Sequence, residues 1–305
     1  MITNKRKSVS VELAAGSAPL VEVAYFAAAQ PSAPCKPSIH AEAGRYRLRL
    51  AETVEDREAA CRLRFNVFNI ELGEGLRNSY QTGLDTDRFD LHCDHLLVED
   101  KLEQSPARRI VGTYRMQSGI TAGRNLGYYS EQEFSFTPYE PLRADILELG
   151  RASIDREHRT PEVLLLLWRG VAQYATEMKL RYLIGCSSLT SKDPSEGWQM
   201  FRQLERFRVP PEFATEPTAA YACPIEQKDA DPLPFSSGME SALPVPAATT
   251  VKVPKLLRTY LAIGSFICGP PAWDKEFGTI DFLTLLDLQA MSPSARNHFL
   301  APLSR

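Results

Sequence analysis

Asp145-Ile-Leu-Glu148-Leu-Gly150-Arg151-Ala-Ser-Ile154, then Thr160-Pro161-Glu162, then Arg181-Tyr-Leu-Ile-Gly-Cys186 are the three pieces of sequence that decide the fold. The first is an apolar run of strand length. The second is a complete helix start: a capping side chain, a proline whose missing N–H costs nothing at the first position, and an acid at the positive end of the dipole. The helix is predicted to run to about Met178, with Val163, Leu166, Leu167, Val171 and Tyr174 on one face. The third piece is nearly all apolar, as in a strand covered on both sides. Strand, helix and strand in this order make a parallel βαβ unit, and a ligand is expected beyond the carboxyl ends of its strands.

Outward from this unit, Tyr46-Arg-Leu-Arg-Leu50 alternates as a strand does. Thr53 can cap a helix over about Val54 to Asn69, with Asp56 in a capping-box position. A polar loop follows from Gly73 to Asp90. His95 to Glu99 and Ile110 to Gln117 read as neighbouring strands. A helix over Ser195 to Arg206, structure again from Lys255 to Phe266, and a strand at Thr279 to Leu286 complete the predicted elements. The result is an α/β fold, a mixed central sheet flanked by helices. Residues 1–44 read as a disordered extension, because Glu12 and Glu22 interrupt any signal-peptide core and Pro31, Pro34 and Pro37 break any helix. Residues 45–224 read as the core, 225–253 as a Pro-rich linker or insertion within a proline-dense stretch from Val209 to Pro254, and 254–305 as a segment completing the fold.

The chain has 305 residues, 44% hydrophobic and 24% charged, with a formal net charge of −3. That balance argues against a nucleic-acid partner, which draws on a basic domain. Six scattered cysteines contain no CxxC pair, so they read as reduced thiols of a cytoplasmic protein rather than a zinc or disulfide framework. His92 and His95 lack further ligands at metal spacing, so no metal is expected. Ser187 and Ser188 lack the GxSxG elbow of a serine hydrolase.

Charged residues in a doubly covered strand are costly unless paired or used. Glu148 and Arg151 are three apart and share a face only if a bulge intervenes, with Gly150 the natural place for it. They are either an ion pair holding loops or catalytic groups. A bulge there would also free a backbone N–H to stabilise an oxyanion. Arg156 and Arg159, beside the Thr160 cap, form an anion site at a helix N-terminus or a solvated turn. Arg64 shares a helical stripe with Cys61, Phe65 and Phe68, and is therefore paired or in contact with a ligand. Asp85, Asp87, Asp90 and Asp94 follow as its partners or as attractors of a cationic substrate.

At these residues the sequence resembles a family. Arg62-Leu-Arg64-Phe-Asn-Val-Phe68, Asp94-His-Leu-Leu-Val98, Ile110-Val-Gly-Thr-Tyr-Arg115, Tyr128-Tyr-Ser-Glu-Gln-Glu-Phe134 and Leu147-Glu-Leu-Gly-Arg151 look like ornithine–acyl carrier protein N-acyltransferases. Leu166-Leu-Trp-Arg-Gly170 and Tyr182-Leu-Ile-Gly-Cys-Ser-Ser-Leu189 extend the match. It covers about Tyr46 to Pro224 and resumes from Pro254 through Phe277-Gly-Thr-Ile-Asp-Phe282. The family belongs to the GNAT superfamily and is related to acyl-homoserine-lactone synthases. The resemblance implies transfer of a (3-hydroxy)fatty acyl group from acyl carrier protein to the α-amine of ornithine, forming lyso-ornithine lipid. Other N-acyl amino acid synthases, homoserine-lactone synthases and a non-catalytic carrier-binding module are the competing readings.

It implies Glu148 as base, Arg151 as its orienting partner or the acceptor's carboxylate site, and the Gly150 backbone as oxyanion donor. Arg64, Phe68, Asp85, Asp87, Asp94, Arg115, Cys186 and Ser187 are expected around the substrate. Arg156, Arg159 and Thr160 are expected at the pantetheine phosphate and the carrier protein. The acyl-carrier thioester would be a co-substrate, with no bound cofactor. Where the Gly-rich pyrophosphate loop of coenzyme-A enzymes would stand, this chain has Thr160, Pro161 and Glu162, which suits a donor held through one phosphate. A lipid product also suggests transient contact with the inner membrane. Leu256, Leu257, Tyr260, Leu261 and Ile263, beside Lys252, Lys255 and Arg258, could then form an interfacial helix or be core.

Overall fold

A computed structural model describes residues 37–224 and 250–299. The expectations for 1–36, 225–249 and 300–305 lie outside the described residues. The strands are β1 (His40–Ala43), β2 (Tyr46–Leu50), β3 (Asp94–Asp100), β4 (Ile110–Ser118), β5 (Ile146–Ile154), β6 (Tyr182–Leu189), β7 (Phe266–Ile267), β8 (Ala272–Asp274) and β9 (Thr279–Asp287). Eight lie side by side in the order β1-β2-β3-β4-β5-β6-β9-β7, and β8 pairs with β9. Every neighbouring pair is antiparallel except β5 and β6, which are parallel. The predicted βαβ unit therefore sits inside a mixed sheet.

Helix α1 (Val54–Phe65) starts as its sequence dictates. The Thr53 side chain accepts from the Asp56 backbone N–H, and the Asp56 side chain accepts from the Thr53 N–H. It does not stop at Asn69 but widens into a π-helix over Asn66–Leu72, closed by Gly73 in the left-handed region. Such widened turns are frequent at functional sites, and this one carries Val67, Phe68 and Leu72 to the cavity described below. Helix α2 (Pro161–Glu177) buries Val163, Leu166, Leu167, Val171 and Tyr174 against Leu48, Leu96 and Val98. It lies close because Gly170 has no side chain: a Cβ there would stand 2.7–2.9 Å from Leu48 and Leu96 methyls. On the opposite face, Ala60 and Leu63 of α1 pack on Leu97 and Ile110. Helices α3 (Pro194–Gln203) and α4 (Lys255–Ile263) help cover the β6–β9 end, where Met200, Leu257 and Leu261 meet Ile280 and Phe282.

One expectation needs correction. The sheet begins inside the stretch read as a disordered extension, since His40–Ala43 pairs with Arg49–Tyr46. The proline-dense stretch joins the sheet edge from Val209 onward. Val209 and Thr215 donate to Ile267 and Cys268 carbonyls, and Tyr221 accepts from Trp273; proline bars a helix but leaves other N–H groups free to bind an edge. Of the two readings of the α4 stripe the core one holds, with Leu257, Tyr260, Leu261 and Ile263 buried. No helix among the described residues is long and apolar enough to cross a membrane.

Candidate active site

The parallel pairing of β5 with β6 lasts for three residues, ending at Glu148 opposite Ile184. Beyond it the Leu149 carbonyl occupies the space beside Gly185: a Cβ on Gly185 would lie 2.1 Å from that oxygen. The strands part here. On its other edge β5 carries the expected bulge, one residue beyond the expected place. Thr113 pairs with Ser153 and Arg115 with Gly150, so Arg151 and Ala152 together oppose Tyr114. Arg151 absorbs the kink with φ +53°, a conformation that costs a non-glycine residue on the order of 1 kcal/mol or more and concentrates at functional sites.

A cavity of about 680 Å³ opens where the strands part, within the range of small-molecule sites. One arm is apolar, walled by Val67, Phe68, Leu164, Leu167, Leu257 and Tyr260. Arg159 and Pro161, exposed among the lining residues, mark a mouth beside Ile154 and Thr160. The far end is polar, with Arg115, Tyr129, Ser130, Glu133, Glu148, Arg151, Asp274 and Asp281.

Not every predicted site residue reaches this cavity. Arg64 is fully buried and spends its guanidinium on Asp85 and Asp90, with Nε to Asp85 at 2.8 Å and Nη1 to Asp90 at 2.7 Å. It and Asp85 form part of the scaffold beneath the site, as burial of an arginine demands. Asp94 accepts from the Tyr174 hydroxyl at 2.8 Å and does not line the cavity. Asp87 acts as the joint: it accepts from Arg115 Nη1 at 2.7 Å and from Arg151 Nη2 at 3.1 Å. Arg115 and Arg151 both line the cavity, as do Phe68, Cys186 and Ser187. The Arg151 guanidinium is held between the Phe277 ring, 4.5 Å from its centroid, and the Tyr129 ring at 5.1 Å. Its Nε has no hydrogen-bond partner among the described residues.

Glu148 and Arg151 do not pair. Glu148 instead accepts from the backbone N–H of Tyr129 at 2.8 Å and of Ser130 at 2.7 Å, and from the Ser130 hydroxyl at 2.5 Å. Burial raises its carboxyl above the usual range despite these three donors. Beyond Ser130 stands Glu133, pushed well above the ordinary carboxyl value by burial and then by the neighbouring Asp281 and Asp274. Burial also pushes Asp281 up to about 6. The Cys186 thiol donates to Glu133 Oε2 at 3.4 Å, and burial keeps its proton on well above the ordinary thiol range. A thiol so held is a poor nucleophile.

Helix α2 presents its N-terminus at the cavity mouth, where Thr160 caps Val163 at 3.5 Å. Arg159 is partly exposed and holds Glu71 at 2.6 Å. Arg156 is exposed and does not line the cavity.

A family described as "Acetyltransferase (GNAT) domain" matches residues 63–169. L-ornithine N(alpha)-acyltransferase of Brucella abortus is 30% identical over 271 residues, covering 86% of this chain and 91% of that enzyme. The chain belongs to the L-ornithine N(alpha)-acyltransferase family. The Rhodobacter capsulatus family member is 28% identical over 256 residues, 83% of this chain and 94% of that enzyme. Among solved structures, FeeM, an N-acyl amino acid synthase from uncultured soil microbes, matches 84% of this chain and 96% of its own at 12% identity and a TM-score of 0.47. As a member of the family, this chain is an N-acyltransferase of GNAT fold.

Sequence reasoning did not single out Tyr129, Ser130, Glu133, Asp274 and Asp281. The first three fall within the quoted Tyr128–Phe134 motif. Asp281 had its own signal: it is an acid in the middle of the apolar strand β9, as Glu148 is in β5.

Proposed function

We propose that this N-acyltransferase joins a 3-hydroxyacyl group, delivered on acyl carrier protein, to the α-amine of ornithine, giving lyso-ornithine lipid. The observation that carries the reading is the single cavity in which an apolar arm, a helix N-terminus and a buried arginine meet at the parting of β5 and β6. The apolar arm takes the acyl chain. The pantetheine arm enters past Thr160 and lies between the parted strands, its phosphate at the N-terminus of α2 with Arg159 beside it. Arg156, exposed nearby, meets the acidic carrier protein. Thr160-Pro161-Glu162 in place of a glycine-rich loop favours one phosphate over a pyrophosphate.

Arg151, clamped between two rings and by Asp87, takes the α-carboxylate of the acceptor. Glu148, directly or through water, accepts the proton of the α-ammonium; a base raised by burial suits that step. The free amine attacks the thioester carbon and forms the C–N bond. Backbone N–H groups released at the Arg151–Ala152 bulge hold the oxyanion. Collapse breaks the C–S bond, and the departing sulfur takes a proton from nitrogen, leaving the pantetheine thiol. Catalysis takes place in the cytoplasm, with transient membrane contact when the lipid leaves.

The test is to incubate the full chain and ornithine with the same 3-hydroxyacyl group on acyl carrier protein or on coenzyme A. The carrier-protein thioester should be used at least tenfold more efficiently by kcat/KM. Equal use of both donors would remove the carrier protein from the proposal, and no amide from either would remove the reaction.

A further inference from the structure

At the polar end of the cavity Glu133, Asp274 and Asp281 offer carboxylate oxygens that all lie within 4.8 Å of one another, and all three residues are buried. None forms an ion pair among the described residues. Such confinement of ionised carboxyl groups is costly unless protons neutralise them or a cation joins them. The three are fixed by different elements. Asp274 and Asp281 project from one face of the β8–β9 ribbon, where Ala272 opposes Asp281 and Asp274 opposes Thr279. Glu133 approaches from the segment that also supplies Tyr129 and Ser130.

Each carboxyl group has one oxygen tied down. Asp274 Oδ1 accepts from the backbone N–H of Glu276 and Phe277 at 2.9 and 2.8 Å. Asp281 Oδ2 accepts from Thr279 at 3.2 Å. Glu133 Oε2 accepts from Cys186. The second observation is that Asp281, only 4% exposed, has its Oδ1 without a hydrogen-bond partner among the described residues. The Ser188 hydroxyl, opposite Asp281 across β6 and β9, bears on the same carboxyl group.

Resting on the reading of this cavity as the acceptor site, we propose that Glu133, Asp274 and Asp281 bind the side-chain ammonium of a dibasic amino acid and thereby select it. One carboxylate oxygen from each of the three lies within 4.8 Å of the other two, and an ammonium carries three N–H donors. A planar guanidinium presents its donors along an edge and matches this triangle less well. A glycine or aromatic acceptor would leave the three acids facing an uncharged group. Arg151, which stands close enough to bear on Glu133, then takes the opposite end of the same molecule.

The experiment compares ornithine with norvaline, which has the same carbon chain without the terminal amine. It uses the holo carrier-protein thioester, and is run on the wild type, Asp281→Asn and Glu133→Gln. The wild type should favour ornithine by at least tenfold in kcat/KM, as expected where charge-assisted hydrogen bonds hold the terminal ammonium. In either variant that preference should collapse through a higher KM for ornithine, with norvaline little changed. A parallel fall for both acceptors, or an unchanged preference, overturns the subsite. Activity lost to a chelator and restored by a divalent cation overturns it too, and gives the triad to a metal. If the wild type acylates neither acceptor, the acceptor-site reading itself has failed; if it acylates both equally, only the subsite has. The wild-type comparison stands even where a variant does not fold.

Discussion

Arg64 offers a sharp test of scaffold against substrate contact. In Arg64→Met an unbranched side chain of about the length of arginine's three-methylene stem is kept, but the charge that serves two carboxylates is gone. Arg64, Asp85 and Asp90 are each 0% exposed, so water cannot substitute. Asp90 would keep Arg115 at 3.1 Å and the Asp87 N–H at 2.8 Å. Asp85 would keep only Arg151, whose Nε stands 3.7 Å away. Stranding a buried charge in this way costs about 3–5 kcal/mol. With Asp90 still served, the lower part of that range applies, about 3 kcal/mol. For a chain of 305 residues that is a fall in Tm of roughly 5 °C. The assay is thermal and urea unfolding beside steady-state kinetics at a temperature where the variant is folded. The double variant Arg64→Met/Asp85→Asn should regain part of the loss, because the stranded charge goes with its partner. A variant that melts with the wild type while its acceptor KM rises tenfold would refute the scaffold assignment and return Arg64 to the substrate.

Three further outcomes are expected. Glu148→Gln should lower kcat by at least 100-fold, the usual contribution of a general base, and leave carrier-protein binding within about twofold by calorimetry; full turnover would exclude Glu148 as the base. Gly185→Ala puts a methyl where the Leu149 carbonyl stands, so β5 and β6 must shift. It should cost about 1–3 kcal/mol on overpacking grounds and lower activity beyond that loss, as read by unfolding and kcat on the folded protein. His95, held down to about 4 mainly by burial, takes up a proton in the unfolded chain near 6.5 but in the folded one only near 4. Its contribution to stability is thus complete above pH 6.5 and lost as pH falls towards 4, about 3 kcal/mol in all. Asp281 acts in the opposite sense over part of this range, so the useful quantity is the difference between wild type and His95→Gln in urea unfolding against pH. That difference should narrow as pH falls, and a constant one would contradict the burial of a neutral ring.

The βαβ unit was legible because each of its signals is local. A cap, a proline and an acid set the start of α2, and unbroken apolar residues mark β6. The bulge was legible from charge spacing in β5, though it fell at Arg151 rather than Gly150. What the sequence hid was pairing at a distance. Arg64 on an inward stripe had to meet something, but only the fold shows that Asp85 and Asp90 consume it entirely. Glu148 was expected beside Arg151, yet its partners come from residues 129 and 130, brought there by a turn with no periodicity to read. Asp274 and Glu133 are separated by 141 positions in the chain, and nothing in the intervening sequence marks them as neighbours. The strand His40–Ala43 was missed because four half-exposed residues with one aliphatic type leave little pattern.

The most direct measurement is a competition. The full chain, a 3-hydroxyacyl carrier-protein thioester, ornithine and the standard amino acids at equal concentrations are incubated together, and the lipid products are fragmented by mass spectrometry. One dominant product is expected, ornithine acylated on its α-nitrogen with the δ-amine free. A dominant amide of another amino acid, or acylation at the δ-nitrogen, would contradict it.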